Sequence, residues 1–229
     1  MTSSRWDDLL PRVITGVLLA VIGIWSVING APLLTILCAV AAAEMVWELA
    51  RLLYRSHGPA STGMTPLGKA LVFAAYGALI LAGIGGLFAL RQQAGLTVVL
   101  WLIGVVIASD VAGYFAGRML GGPKFWPRVS PKKTWSGTAA GWIAAALVGL
   151  LVLRPDTGHL GIALLSALFA FAGQMGDIAE SAIKRAVDVK DASNILPGHG
   201  GVMDRFDAMI AVFALAFLLM GLGLLPGTV

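Results

Sequence analysis

The stretch GLTVVLWLIGVVIASDVAGYFAG, residues 95–117, contains a single charged side chain, Asp110, in an otherwise largely apolar run. A helix that crosses the hydrocarbon core of a bilayer needs about 20 such residues, so this stretch predicts a transmembrane helix. Six further stretches meet the same rule: roughly 12–29, 31–53, 68–90, 136–153, 159–176 and 207–226. We therefore predict an all-α, polytopic integral membrane protein with about seven transmembrane helices.

The composition of the chain excludes an ordinary soluble globular protein. Of its 229 residues, 58% are hydrophobic and 12% are charged, against about 25% charged residues in a typical soluble domain. The mean hydropathy is +0.87. The single cysteine, Cys38, lies in an apolar run, which excludes a disulfide framework and disfavours a thiolate metal site. The first hydrophobic stretch has no small-residue cleavage site, so we expect no secretory signal.

The basic residues are distributed asymmetrically among the connections between the predicted spans. Fourteen of the 16 Lys and Arg residues fall in the N-terminal tail and in the second, fourth and sixth connections, and only Arg91 and Arg154 fall on the other side. Cytoplasmic connections carry an excess of Lys and Arg. We therefore expect the N-terminus in the cytoplasm and the C-terminus outside, in a bacterial inner (plasma) membrane.

The net charge of +4 and the pI near 9.5 originate on that same predicted cytoplasmic face. A basic membrane surface suits anionic lipid headgroups and polyphosphates. The basic residues are spread over three membrane-embedded connections and include no module that reads DNA or RNA. We therefore expect no nucleic acid partner.

Three acidic side chains lie within predicted spans and away from their ends, where each costs at least about 2.5 kcal/mol on insertion scales and indicates function. Glu44 and Glu48 are spaced i,i+4 and share one helix face, which fits either an interhelical salt bridge or a functional pair. For Asp110 a functional role is favoured over a structural one, since Tyr114 and Arg118 follow it on the same helix face.

The string SPKKTWSG, residues 130–137, follows the fourth span. The Ser-Pro pair at its start favours a turn. Lys132 and Lys133, beside a threonine hydroxyl, fit an anion cradle. They equally fit a positive-inside anchor for the next helix, with Trp135 in the aromatic belt.

The stretch SAIKRAVDVKDASNILPGHGGVMDRFD, residues 181–207, is dense in ionisable side chains. Polar residues at the spacing of one helix face lead into it: Asp177, Glu180, Ser181, Lys184, Arg185 and Asp188. Residues 194–201 are then too rich in Gly and Pro to be helical, and a connection of about 30 residues indicates function. We predict that these side chains line a polar cytoplasmic active-site cavity, closed by Asp204, Arg205 and Asp207.

The residue types in this connection predict a particular chemistry. Carboxylates with few competing Cys or His ligands suit Mg²⁺, which completes its shell with water and phosphates. Zinc is disfavoured, because His57, His159 and His199 are far apart in sequence. Clustered Lys and Arg match phosphate oxygens. The pattern therefore predicts phosphoryl or nucleotidyl transfer. His199 could serve as a general acid or base, as a hydrogen-bond donor to a phosphate, or as a residue that stabilises the loop.

Several short motifs in the second half of the chain share a pattern with one enzyme family. They are Asp110-x-x-x-Tyr114-x-x-Gly117-Arg118, Ser130-Pro131-Lys132-Lys133-Thr134-Trp135, Gly173-Gln174-x-Gly176-Asp177, Ser181-x-x-Lys184-Arg185, Lys190-Asp191, Pro197-x-His199-Gly200-Gly201 and Asp204-Arg205-x-Asp207. Together they resemble the CDP-diacylglycerol synthases, also called phosphatidate cytidylyltransferases, over about residues 100–225. No internal repeat stands out, so we predict a single membrane domain over residues 1–229, with N-terminal helices in 1–95 and catalytic helices and loops in 96–229.

The resemblance implies that CTP and phosphatidate are the substrates and that CDP-diacylglycerol and pyrophosphate are the products. It implies that Asp177 and Asp204 hold Mg²⁺, and it leaves open a second cation such as K⁺. The implied catalytic residues are Ser181, Lys184, Arg185, Asp188, Lys190, Asp191, His199, Arg205 and Asp207. The implied substrate-binding residues are Asp110, Arg118, Lys132, Lys133, Gly200 and Gly201. Members of this family form homodimers, so the resemblance also implies a homodimer in membrane lipid.

Two departures from the family pattern and two rival functions qualify this prediction. The family usually has a glutamate after the Lys-Lys-Thr-Trp string, where this chain has Ser136, and some members have eight or nine spans. A CTP-dependent polyprenol kinase would use similar metal and phosphate chemistry, but it needs a base for its alcohol substrate. An ion-coupled transporter would use Glu44, Asp110 and the Asp177 helix as a cation path, although no inverted repeat supports it.

Overall fold

The computed structural model describes residues 9–54, 64–152, 158–196 and 200–225, and the side chains of residues 9–13 lie outside this description. The helices in these ranges are α1 Leu9–Asn29, α2 Leu33–Tyr54, α3 Pro66–Gln93, α4 Gly95–Met119, α5 Trp135–Val152, α6 His159–Ala186 and α7 Met203–Gly221. Two short strands, β1 Lys124–Trp126 and β2 Ser130–Thr134, lie between α4 and α5. The predicted helical, polytopic membrane architecture is confirmed.

Five helices, α2 to α6, are long and apolar enough to cross a membrane. The apolar part of α1 whose side chains are described, Ile14–Asn29, is shorter. The first turn of α7 carries Asp204, Arg205 and Asp207, so its uninterrupted apolar run begins only at Ala208. The two outer spans of the predicted seven therefore stay a prediction.

Glycines in the left-handed region mark two of the helix boundaries. Gly30 has φ 72° in the short connection between α1 and α2, and Gly95 has φ 88° where α4 begins, two residues after α3 ends. Glycine adopts this conformation without the Cβ clash that other residues meet. Only residues 30–32 separate α1 from α2.

The connection between α4 and α5 is a β-hairpin, and the Ser-Pro pair lies in its second strand, which corrects the prediction of a turn at that pair. Strands β1 and β2 are antiparallel, with Lys124 opposite Thr134 and Trp126 opposite Ser130. Proline lacks an N–H donor and is tolerated in such edge strands, so Pro131 lies within β2. The Phe125 and Trp135 rings meet edge to face with centroids 4.7 Å apart, an arrangement that favours aromatic pairs.

Thr134 ends the hairpin and caps the next helix. Its buried Oγ1 accepts a hydrogen bond from the Gly137 amide at 3.2 Å, the usual role of a threonine before a first helical turn. Ser136, which replaces the glutamate of the family pattern, donates to the Gly121 carbonyl oxygen. The residues around the lysine pair therefore fix the start of α5.

Helix α6 ends at Ala186, so the predicted helix face extending to Asp188 is wrong at its last position. The Val189 amide donates to the Lys184 carbonyl oxygen at 2.9 Å, and the Asp188 amide donates to that of Arg185 at 3.2 Å. This pair of bonds is a Schellman motif. It requires a left-handed residue, and Asp188 supplies it with φ 55°.

Replacing Asp188 by glycine is expected to leave both stability and turnover nearly unchanged. Glycine adopts the left-handed conformation freely, and this gain offsets the extra freedom of the unfolded chain, so the free energy of unfolding should change by less than about 1 kcal/mol. Thermal unfolding in detergent and steady-state turnover measure the two quantities. A large loss of turnover without unfolding would support the catalytic role that the family resemblance implies for Asp188.

The chain divides into two compact units, the first from residues 1–80 and 183–206 and the second from residues 81–182 and 207–229. In the first unit, Met45, Leu49 and Leu52 on one side of α2 are buried. In the second unit, Trp101 of α4 is fully buried and donates to the Ser166 hydroxyl of α6 at 3.0 Å. A buried indole N–H needs such a partner.

Small residues bring the helices of the second unit close together. A Cβ at Gly137 of α5 would lie 2.5 Å from the Gly113 carbonyl oxygen of α4. A Cβ at Gly176 of α6 would lie 2.5 Å from the Asp207 carbonyl oxygen of α7. Glycines at helix crossings let backbones approach in lipid, where packing drives helix association. These crossings hold together helices that carry the polar residues of the second unit.

Candidate active site

In the first unit, the carboxylate of Asp204 fixes the segment between α6 and α7. Its Oδ1 pairs with the Lys184 ammonium at 2.5 Å. Its Oδ2 accepts the amides of Ala192 at 2.9 Å and Gly201 at 2.8 Å. The Asp204 side chain is only 5% exposed, and a buried charge needs a partner and hydrogen bonds of this kind. The predicted proximity of Lys184 and Asp204 is observed.

Gly200 lies against the same carboxylate. Its φ is 84°, and a Cβ built there would lie 2.8 Å from Asp204 Oδ2. A hydrogen-bonded β-bridge pairs Gly200 with Leu196. Glycine is needed here for its conformation and for the space it leaves.

A second carboxylate, that of Glu48 in α2, binds the same segment. It is fully buried. Its Oε1 accepts the Ser193 hydroxyl at 2.5 Å and the Val202 amide at 3.0 Å, and its Oε2 accepts the Met203 amide at 2.7 Å. The sequence singled out Glu48 as an ionisable residue in a span but left its role open. Its partners lie about 150 residues away, where helix spacing gives no signal.

In the second unit, Lys133 and Asp177 form the centre of a polar cluster. The Lys133 ammonium lies 2.5 Å from Asp177 Oδ2 and donates to the Gln174 carbonyl oxygen at 3.3 Å. The Ser181 hydroxyl donates to Asp177 Oδ1 at 3.3 Å. The two charged side chains are 25% and 36% exposed, so the pair is accessible to a ligand.

Lys132 and Lys133, which the sequence grouped together, lie in different environments. Side chains alternate between the two faces of a strand. Lys133 turns to Asp177, whereas Lys132 is exposed. The hairpin therefore separates a lysine that belongs to the polar cluster from one at the surface.

Gln174 organises the interior of the second unit, a role that the sequence did not indicate beyond its place in a motif. Its amide nitrogen donates to the Ser109 hydroxyl and to the Thr138 carbonyl oxygen, both at 3.3 Å. Its Oε1 accepts the Trp142 indole N–H at 3.0 Å. Gln174 and Asp110 also line the same small pocket. A buried, satisfied network of this kind rigidifies its surroundings.

Arg118 and Tyr114 form an exposed pair at the end of α4. The Arg118 guanidinium donates to the Tyr114 hydroxyl at 2.8 Å. This bond holds the guanidinium in one orientation, and the remaining donors of its planar fork suit a phosphate group.

The other predicted site residues differ in their exposure. Arg185, Lys190, Asp191 and Arg205 are exposed. Asp207 lies in the first turn of α7, and its Oδ1 accepts the Ala208 amide at 2.8 Å. Gly201 is buried beside Glu48. His199 lies outside the described residues.

The carboxylates predicted to hold Mg²⁺ each have a lysine partner, Lys133 for Asp177 and Lys184 for Asp204. Among the described residues, no three His, Cys, Asp or Glu side chains cluster as a metal site. Magnesium needs only one or two protein carboxylates, because waters and substrate phosphates complete its shell. The donors present therefore fit Mg²⁺ bound together with a phosphate substrate.

These features define a class: polytopic helical membrane proteins with two lysine–aspartate pairs, one of them accessible, that suit phosphate chemistry. The chain belongs to the cytidylyltransferase family, whose model matches residues 64–222. This confirms the membership predicted from the motifs.

Three curated relatives are named phosphatidate cytidylyltransferases. The chain is 45% identical over 150 residues to a phosphatidate cytidylyltransferase of Brucella suis biovar 1 (strain 1330), covering 65% of this chain and 54% of that protein. It is 40% identical over 134 residues to that of Bacillus subtilis (strain 168), covering 57% and 50%. It is 42% identical over 130 residues to that of Helicobacter pylori (strain ATCC 700392 / 26695), covering 56% and 48%. The chain thus spans about half the length of these relatives.

Proposed function

We propose that the protein is a phosphatidate cytidylyltransferase, which converts CTP and phosphatidate into CDP-diacylglycerol and pyrophosphate. The observation that carries the proposal is the extent of the family match. Residues 64–222 include every proposed site residue, from Asp110 to Asp207. The relatives are phosphatidate cytidylyltransferases by name, which supplies the substrate class.

The two lysine–aspartate pairs support this chemistry. Lys133 and Lys184 are cations held in place by carboxylates, so little entropy is lost when they meet phosphate oxygens. We assign both to neutralising the phosphates of the substrates, together with Arg185, Lys190 and Arg205. Preorganised charge of this kind is the main source of catalysis in such transfers.

Asp177 and Asp204 are the residues that we propose would hold Mg²⁺. The bound ion would neutralise charge on the triphosphate of CTP. Ser181, which donates to Asp177, and the glycines around Asp204 orient the two carboxylates. His199 and Asp191 belong to the same segment, and we propose that they complete the site.

The proposed reaction is one in-line displacement. A phosphate oxygen of phosphatidate forms a bond to the α-phosphorus of CTP, the bond from that phosphorus to the bridging oxygen breaks, and pyrophosphate leaves with the electron pair. Phosphatidate brings an anionic nucleophile, so no strong general base is required. Arg118, oriented by Tyr114, and Asp110 are assigned to positioning the lipid headgroup at the membrane surface.

We also propose the topology drawn from the charge distribution: seven spans, with the N-terminus and the site in the cytoplasm and the C-terminus outside. The five qualifying helices and the apolar character of α1 support it. In this arrangement the acyl chains of phosphatidate stay in the bilayer while its headgroup meets CTP in the aqueous phase.

Labelled CTP distinguishes the proposal from a CTP-dependent lipid kinase. The protein in detergent with phosphatidate is expected to transfer label to lipid from α-³²P CTP and not from γ-³²P CTP. A kinase acting on a polyprenol would do the reverse, since it transfers the terminal phosphoryl group. Label from the γ position in the lipid would contradict the proposal.

A further inference from the structure

We propose that Glu48 is a positioning residue for the reaction: its buried carboxylate sets the conformation of residues 191–196 and 200–204, which carry Asp204 and its neighbours. This inference rests on the proposed function. Glu48 lies in α2, ahead of the region matched by the family, which begins at residue 64. A helix outside the matched region thus takes part in shaping the active site.

The groups that donate hydrogen bonds to Glu48 come from both ends of the segment between α6 and α7. Ser193 lies shortly after α6, whereas Val202 and Met203 lie at the start of α7. One carboxylate therefore ties the two ends together. The Met203 amide is also one of the first amides of α7, which have no acceptor within the helix, and a negative charge is favourable at this end of a helix.

Neighbouring residues divide their bonds between Glu48 and Asp204. The amides of Ala192 and Gly201 donate to Asp204, and the groups next to them in sequence, the Ser193 hydroxyl and the Val202 amide, donate to Glu48. A movement of the segment at one carboxylate must therefore change the bonds at the other. This is how Glu48 acts on a proposed metal-binding residue without touching a substrate.

The space around Glu48 is fully used. A Cβ built at Gly201 would lie 2.5 Å from Oε1 and 2.8 Å from Cδ of Glu48. Within the described parts of the chain, the carboxylate forms no ion pair, so its hydrogen bonds must offset its burial. An uncharged or shorter side chain cannot satisfy the same three donors in the same place.

Glu48→Gln is the direct test, with Glu44→Gln as its matched control one helical turn earlier. The glutamine places an NH₂ group against one of the donors. We expect kcat to fall about 10- to 100-fold, the range seen when a residue that orients an active-site ligand is lost. Glu44→Gln should retain wild-type kcat and KM. Glu48→Ala should lose more activity than Glu48→Gln, because glutamine keeps one acceptor oxygen.

Amide hydrogen exchange supplies a readout that does not depend on activity. In Glu48→Gln, exchange at Val202 and Met203 should quicken at least about tenfold, while the α4 and α5 amides keep their wild-type rates. A general loss of stability would instead quicken exchange throughout the chain. An inactive wild type would refute the proposed function, and exchange in this variant would still decide whether Glu48 holds the segment.

Ser193→Ala keeps the proposal testable if the Glu48 variants do not fold. It removes a single donor to Glu48, so we expect a smaller loss of kcat, about threefold to tenfold, with the same local pattern of exchange. In Glu48→Gln/Ser193→Ala the two losses should not add, as expected for residues in direct contact. Wild-type kcat and unchanged exchange at Val202 and Met203 in either folded single variant would overturn the inference.

Discussion

Replacing Asp204 by asparagine is expected to lower turnover at least about 100-fold while the protein stays folded. Asn keeps the size of the side chain but removes the charge that pairs with Lys184. It also turns one oxygen into a donor, which repels either the Lys184 ammonium or the amides of Ala192 and Gly201. The proposed metal ligand and the shape of the segment are therefore lost together.

Turnover with CTP and phosphatidate, measured beside thermal unfolding in the same detergent, checks this expectation. Removing one partner of a buried pair costs up to about 3–5 kcal/mol, so the melting temperature should fall as well. Arg91→Ala, in the last turn of α3, serves as a control that should keep wild-type turnover. Near-normal activity in folded Asp204→Asn would remove Asp204 from the site.

Lys133→Met is expected to lower turnover about 100- to 1,000-fold, the usual effect of removing one group that stabilises charge in a transition state. Methionine keeps an unbranched, apolar side chain and removes the ammonium that pairs with Asp177. The Asp177 carboxylate then loses its cationic partner. Steady-state kinetics should show the loss mainly in kcat.

The β-hairpin provides matched controls for Lys133. Lys132→Met removes the neighbouring, exposed ammonium and should cost less than about tenfold. Lys124→Met, on the exposed part of β1, should leave turnover unchanged, as expected for a solvated surface charge. Equal losses at Lys132 and Lys133 would contradict the assignment of the two lysines to opposite faces of β2.

The sequence predicted the helices well, because a bilayer requires long apolar runs that are visible in composition alone. It also predicted that Lys184 and Asp204 belong to one site, since both lie in motifs of a known family. It failed at Asp188, where helix periodicity was extended past Ala186. Periodicity alone does not show where a helix stops unless the C-terminal motif is recognised.

The remaining differences depend on contacts between distant parts of the chain. Nothing in the spacing of Glu44 and Glu48 indicated that only Glu48 would bind the Val202 and Met203 amides. Likewise, the β-hairpin is too short to show a period-2 pattern in the sequence, so Lys132 and Lys133 could not be assigned to opposite faces. Tertiary packing, and not local propensity, decides such positions.

The most direct test of the account is the release of pyrophosphate from CTP by the purified protein, with and without phosphatidate, in wild type and in Asp177→Asn. We expect release that requires both the lipid and Mg²⁺, stops when EDTA removes the metal, returns when Mg²⁺ is added, and falls at least about 100-fold in the variant. Lipid-dependent release that persists in EDTA or in Asp177→Asn would contradict the metal site, and no release by folded wild-type protein would contradict the proposed function.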